Sequence, residues 1–176
     1  MNGPDPRPAL IVVDVQDGFV TDQTASTVDL IVEHLARESP RYAQVIATRF
    51  INRPGSLYES QRDWHEMMAE PRTRLVRAVA EAAGIVVTKH GLAPDPGDLL
   101  PILEQGGSHQ VELCGFDTDQ CVLATALLLW DAGIVPRVLE PLCSSSGGPD
   151  MHAMGLSVLR RAIGDRNVTD VEGRPR

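Results

Sequence analysis

Residues 9–15 read Ala-Leu-Ile-Val-Val-Asp-Val. An apolar run with three consecutive β-branched residues, Ile11, Val12 and Val13, predicts a strand buried on both faces, the kind found inside a parallel sheet. Parallel strands need crossovers, and the chain downstream supplies them. Val28, Ile31, Val32 and Leu35 follow helical spacing. Residues 44–48 read as a second strand. Leu75, Val76, Val79 and Ala83 mark a helix that Gly84 ends. Residues 85–88 are a third strand, 98–103 a short helix and 111–114 a fourth strand. Residues 119–132 are strongly helical up to Gly133. A fifth strand over 134–139, a helix carrying Leu156, Leu159 and Ile163, and a last strand near 167–169 complete the pattern. This alternation implies an α/β fold with a parallel sheet and helices on both faces. One domain over 8–170 is expected, with flexible ends at 1–7 and 171–176. The longest irregular stretch, residues 50–71, holds Trp64, His65, Met67 and Met68 and is expected to form a lid or pocket wall.

Composition narrows the function. With 176 residues, 43% hydrophobic and 23% charged, the chain has the make-up of a soluble globular domain. A net charge of -8 argues against a nucleic-acid partner, which needs a clustered basic surface. No apolar run approaches the ~20 residues that span a bilayer, so no membrane partner is expected. Residues 1–8 are polar and proline-rich, unlike a signal peptide. Three cysteines without framework spacing fit reduced thiols in a cytoplasm.

In an open parallel sheet, ligands bind beyond the carboxyl ends of the strands. Asp14 closes the first strand, Lys89 follows the third, and Cys121 lies just past the fourth, in the first turn of the next helix. A thiol is a weak nucleophile until it loses its proton, and a helix N-terminus and a nearby ammonium both favour the thiolate. A carboxylate can take that proton and later return it to a leaving amine. Asp14 and Lys89 also satisfy one another if buried. Cys114 and Cys143, inside or beside strands, read as small core residues. Phe19, Arg49 and Trp64 are candidate pocket residues, Arg49 for a carboxylate and Trp64 for a planar group.

These residues carry a family resemblance. Asp14-Val15-Gln16 with Phe19, Val87-Thr88-Lys89-His90, and Gly115-Phe116-Asp117-Thr118-Asp119-Gln120-Cys121-Val122 resemble the three motifs of the isochorismatase-like cysteine hydrolases. The resemblance implies a three-layer α/β/α sandwich with a six-stranded parallel sheet in the Rossmann-like order 3-2-1-4-5-6. It implies Asp14 as general acid/base, Lys89 as thiolate-stabilising cation and Cys121 as nucleophile. It also implies an oxyanion hole from the backbone N–H groups of Asp117 and Cys121, a cis peptide between Phe116 and Asp117, and a homo-oligomer. The apolar stretch 122–130 fits a subunit interface or a fully buried helix.

Two departures refine this picture. Nicotinamidases of the family carry an Asp-x-His metal motif after the second strand, whereas this chain reads Thr48-Arg49-Phe50-Ile51-Asn52. His65-Glu66-Met67-Met68-Ala69 lacks the second His of a zinc helix. No metal and no other cofactor is therefore expected. The segment after the lysine, Gly91-Leu92-Ala93-Pro94-Asp95-Pro96, lacks the family's usual Ser-Ala-Phe pattern. Retention of Cys121 favours a small amide, carbamoyl or related carbonyl substrate. Vinyl ether hydrolysis of the isochorismatase type and non-catalytic binding of a small molecule are the alternatives.

Overall fold

The computed structural model of the protein describes residues 7–174. Six strands, β1 (Ala9–Val13), β2 (Gln44–Phe50), β3 (Ile85–Lys89), β4 (Gln110–Gly115), β5 (Val135–Cys143) and β6 (Val168–Thr169), form one sheet in the order β3-β2-β1-β4-β5-β6. Every pairing is parallel, with Ile11 level with Ile46 on one side and Leu113 on the other. The helices are α1 (Ala25–Glu38), α2 (Leu57–Arg62), α3 (Arg77–Ala82), α4 (Pro96–Gln105), α5 (Leu123–Asp131) and α6 (Pro149–Ile163). The α/β sandwich and its strand order agree with expectation.

β1 lies at the centre and is fully buried, which explains its unbroken apolar run. Its side chains alternate between two cores. Leu10 and Val12 pack with Ile31 and Leu35 of α1 and Val79 of α3. Ile11 and Val13 pack with Leu99 and Leu103 of α4, Ala126 and Leu129 of α5, and Leu156 and Leu159 of α6. Helices therefore leave β1 and β4 towards opposite faces, and a crevice opens above these two neighbouring strands.

Four local expectations change. The helix expected from Leu75 begins at Arg77, because Leu75 pairs with Gln16 and the Val76 N–H bonds Val15 O at 2.9 Å. The expected 119–132 helix is two pieces: residues Thr118–Val122 form a π turn, closed by the Val122 N–H on Asp117 O at 3.0 Å, and α5 follows. β5 runs on to Cys143, four residues past the expected end at Leu139. Within the irregular stretch sits α2, whose N-cap Ser56 accepts from the Glu59 N–H at 3.2 Å.

The described residues at both ends make contacts with the body of the domain. Arg7 O accepts from Ser108 Oγ at 3.2 Å, and the Arg7 guanidinium donates to Pro40 O at 3.4 Å. Val171 packs against the core and Arg174 binds Asp170 at 2.8 Å. Residues 1–6 and 175–176 lie outside the described residues. Among the described residues, no helix is long and apolar enough to cross a membrane.

Candidate active site

Asp14 is the first residue beyond β1 and has φ 51, a left-handed conformation that a short polar residue tolerates better than a branched apolar one. Its carboxylate is held by β2: Thr48 Oγ1 donates to Oδ1 at 2.6 Å and accepts the Asp14 N–H at 3.1 Å. The other oxygen, Oδ2, lies 2.7 Å from Lys89 Nζ. Lys89 is the last residue of β3, so its side chain crosses above β2 to reach Asp14. Its ammonium also donates to Gly91 O at 2.9 Å and Leu92 O at 2.8 Å, and stands 5.3 Å from the centroid of the Phe50 ring.

Both groups are out of water, with Asp14 0% and Lys89 2% exposed. An ion pair at that depth persists only with good geometry and further hydrogen bonds, and here both partners have them. Burial works against the charge on Lys89, but Asp14 and then Cys121 outweigh it and leave its pKa above the ordinary value. Oδ2 of Asp14 has no further hydrogen-bond donor among the described residues.

Cys121 arrives from β4. Gly115 ends that strand at φ 118, and a Cβ there would meet Val13 O at 2.2 Å, so only glycine passes so close to β1. The Phe116–Asp117 peptide is cis, as the resemblance implies. The Asp117 carboxylate accepts from the Ser146 N–H at 2.6 Å and from Ser146 Oγ at 2.8 Å, tying the loop after β5 to the turn. Its pKa is raised, chiefly by burial. The π turn then presents Cys121, which is 8% exposed. Burial and the charge of Asp14 push its thiol well up, and Lys89 opposes them only in part. Burial and Asp14 thus work against the thiolate that Lys89 favours. Cys114 is fully buried in the opposite core with its pKa raised by burial, and the Cys143 thiol, pushed to about 12 by burial, points at Leu113 O.

A cavity of about 120 Å³ stands over Cys121. Five of the chain's seven aromatic residues line it: Phe19, Phe50, Tyr58, Trp64 and Phe116. Phe19 and Trp64 lie almost parallel, 15° apart with centroids at 6.4 Å, and Tyr58 meets Trp64 edge-on at 5.7 Å. Arg62 stands at the exposed rim, 5.8 Å from the Tyr58 ring centroid. Residues 50–71 thus supply a wall of the cavity, as expected. Asn52 anchors that wall: its amide donates to Trp64 O and Glu66 O, each at 3.1 Å, while Oδ1 accepts from Ser56 Oγ at 2.7 Å.

Of the sequence-derived site residues, Asp14, Lys89, Cys121, Asp117, Phe19 and Trp64 come together here. Arg49 does not. Its guanidinium donates to Thr88 Oγ1 at 3.1 Å and borders a separate groove with Glu70 and Arg74. The reason is strand alternation: Thr48 and Phe50 face the site, so Arg49 between them faces away. Thr48, Tyr58, Arg62 and Gln16 were missed. Gln16 joins the first motif to the wall, donating to Phe50 O at 2.9 Å and Thr73 O at 2.8 Å and accepting the Phe50 N–H at 2.8 Å.

A metal finds no matching ligand set. Among the described residues no group of three or more His, Cys, Asp or Glu side chains is arranged to hold a metal ion. Asn52 spends its amide on backbone carbonyls, and His65 is exposed and bonded to Asp63 at 2.9 Å and Glu59 at 3.2 Å.

The isochorismatase domain pattern matches residues 8–172. No curated protein matches the chain. Among solved structures, an isochorismatase-like hydrolase from Alkaliphilus metalliredigens has a TM-score of 0.78 at 18% identity, covering 89% of this chain and 92% of that one. A pyrazinamidase of Pyrococcus horikoshii in complex with zinc gives 0.78 at 23% identity, covering 90% and 97%. An N-carbamoylsarcosine amidase from Thermoplasma acidophilum gives 0.77 at 23% identity, covering 90% and 93%. At these identities the likeness is one of fold.

Proposed function

This chain belongs to the isochorismatase family of hydrolases, and from that premise we propose that it hydrolyses the C–N bond of a small amide or carbamoyl substrate through a thioester on Cys121. The observation that carries the reading is the meeting of Asp14, Lys89 and Cys121, from three strands, beneath an aromatic cavity. Two of the similar folds are amidases, which supports a C–N bond as the target.

Asp14 takes the proton of the neutral Cys121 thiol as sulfur attacks the carbonyl carbon. The Lys89 ammonium, fixed by Asp14 and two backbone carbonyls, stabilises the thiolate as it forms, at a depth where water screens little. The backbone N–H groups of Asp117 and Cys121 receive the oxyanion. When the tetrahedral species collapses, the C–N bond breaks and protonated Asp14 gives its proton to the departing nitrogen. Asp14 then draws a proton from water, whose oxygen adds to the thioester, and the acid leaves as sulfur regains its proton. No step calls for a metal or another cofactor. The aromatic lining favours a substrate with a planar or apolar body, packed against the rings of the cavity wall.

We also propose self-association, supported by Trp130 of α5 and by Met154 and Val158 of α6, which are 42%, 53% and 48% exposed. A reducing cytoplasmic setting fits the three free cysteines.

The test is release of amine from a panel of small carboxamides and N-carbamoyl compounds. Cys121→Ser is expected to keep the fold and lose about four orders of magnitude in kcat. Iodoacetamide should label Cys121 first of the three cysteines, with substrate protecting it. Full turnover by Cys121→Ala would refute the thioester.

A further inference from the structure

Gly155 occupies the interior of α6, where glycine is unfavourable. The reason lies across the helix interface. A Cβ at this position would stand 2.7 Å from both Cα and N of Asp119 and 2.9 Å from the carbonyl carbon of Thr118. These are backbone atoms of the turn that carries Cys121, and no side-chain rotation can move them aside. The helix is therefore seated directly on the main chain of the nucleophile turn. One helical turn earlier, His152 reaches the same segment through a 2.8 Å hydrogen bond between Nδ1 and Thr118 Oγ1. Thr118 is fully buried, and its N–H is taken by Ser144 O at 3.0 Å.

A π turn is a rare, wide turn, and this one must hold a sulfur atom in register with two groups from other strands. Its own ladder is short, so its height above Asp14 and Lys89 depends on what presses on it from behind. We propose that α6 is a positioning brace for the nucleophile. Gly155 lets the helix approach the turn, and the His152–Thr118 bond fixes its lateral position. Neither residue lines the cavity over Cys121. Gly155 acts through the backbone of Thr118 and Asp119, and His152 through the Thr118 hydroxyl. The inference rests on Cys121 as the reactive thiol, and its test reads the thiol directly and needs no substrate.

Gly155→Ala forces α6 and the turn apart by a fraction of an ångström. Misplacement on this scale is expected to slow iodoacetamide labelling of Cys121, and kcat on any substrate found, by about 100-fold, with KM little changed. His152→Ala should slow labelling by about fivefold, the loss of one hydrogen bond. His152→Asn, whose amide can sit where Nδ1 sits, should recover most of that loss. Ala153→Gly, on the exposed side of the same helix, weakens α6 without touching the turn and should label at the parent rate. Near-UV circular dichroism establishes that each variant is folded. If Gly155→Ala does not fold, the His152 pair decides alone. The brace is overturned if folded Gly155→Ala and His152→Ala label at the parent rate, if Asn rescues no better than Ala, or if Ala153→Gly slows labelling as much as Gly155→Ala. Failure of the nucleophile reading looks different: Cys121 of the parent protein would then label no faster than Cys114.

Discussion

Two buried charged clusters sit at opposite edges of the same sheet. At the carboxyl edge, Asp14 meets Lys89 and Cys121. At the amino edge, Glu112 of β4, only 2% exposed, accepts from Tyr42 Oη at 2.8 Å and from Arg41, with Arg137 Nη1 at 3.7 Å from its other oxygen. His34 extends that cluster through a 2.7 Å bond to Tyr42 Oη. Both bury a carboxylate beside a cation, but they end differently. The Glu112 carboxylate is surrounded by donors that belong to the fold. The Asp14 carboxylate has one oxygen fixed by Thr48 and the other shared between a lysine and the neighbourhood of a thiol, under an open cavity. A buried charge by itself therefore marks no active site. What distinguishes one is an acceptor left free to exchange a proton with something that arrives from solvent.

The contrast breaks most sharply at Asp14. Asp14→Asn is expected to lower kcat of the folded protein about 10³-fold and, by stranding the buried Lys89 ammonium, to cost about 3 kcal/mol of stability as well. The same variant should move the Cys121 titration downward, because the Asp14 charge helps hold it up. Turnover and the pH dependence of iodoacetamide labelling would then diverge, with less catalysis from a more acidic thiol. A kcat within about tenfold of the parent enzyme would remove Asp14 as the base.

Glu112→Gln should cost stability alone. Loss of the charge strands Arg41 and is expected to cost about 3 kcal/mol of unfolding free energy in urea titrations, with kcat of the folded protein preserved. Loss of activity without loss of stability would mean that the two clusters are coupled.

A smaller effect sharpens the comparison through pH. His34 is pushed below its ordinary pKa of 6.5, first by burial and then by Arg41. A depressed folded-state value means that its contribution is fully present above the unfolded pKa and is lost as pH falls through the folded one. Stability should therefore decline below pH ~6.5, by at most about 1.4 kcal/mol for each pH unit of the descent. His152 is lowered mainly by burial and acts in the same sense. The measurement is accordingly the difference between parent and His34→Gln in urea unfolding at pH 8 and pH 5. A difference that does not change with pH would dismiss the contribution of His34.

The smallest effect belongs to Arg49. Arg49→Ala should change kcat/KM by less than about twofold, since the side chain borders a groove away from the cavity. A large rise in KM would return Arg49 to the site.

The legible part of this molecule was the part written in periodicity. The β-branched runs located the strands, and the strand ends placed Asp14, Lys89 and Cys121 on one edge. The family motifs added the sheet order and the cis peptide. Thr48 escaped because a threonine in a strand looks ordinary until its hydroxyl meets a partner 34 residues away. Tyr58 and Arg62 escaped because α2 is six residues long and too short to show a helical period. Arg49 was misplaced although strand alternation could have excluded it, once Phe50 was taken as a wall residue. The π turn was read as helix because an extra residue in one turn leaves the apolar pattern around it intact. Gly155 gave no sign at all, since a close approach between helix and turn is not encoded in either segment alone.

The distribution of aromatic rings has an optical consequence. The chain has two tryptophans: Trp64 in the cavity wall among three other rings, and Trp130 on α5, 42% exposed. Acrylamide in solution would quench Trp130 first, and a compound entering the cavity would quench Trp64. With Trp130→Phe, the remaining emission comes from a single indole in the wall of the cavity over Cys121, and occupancy could be followed by fluorescence before any substrate is known.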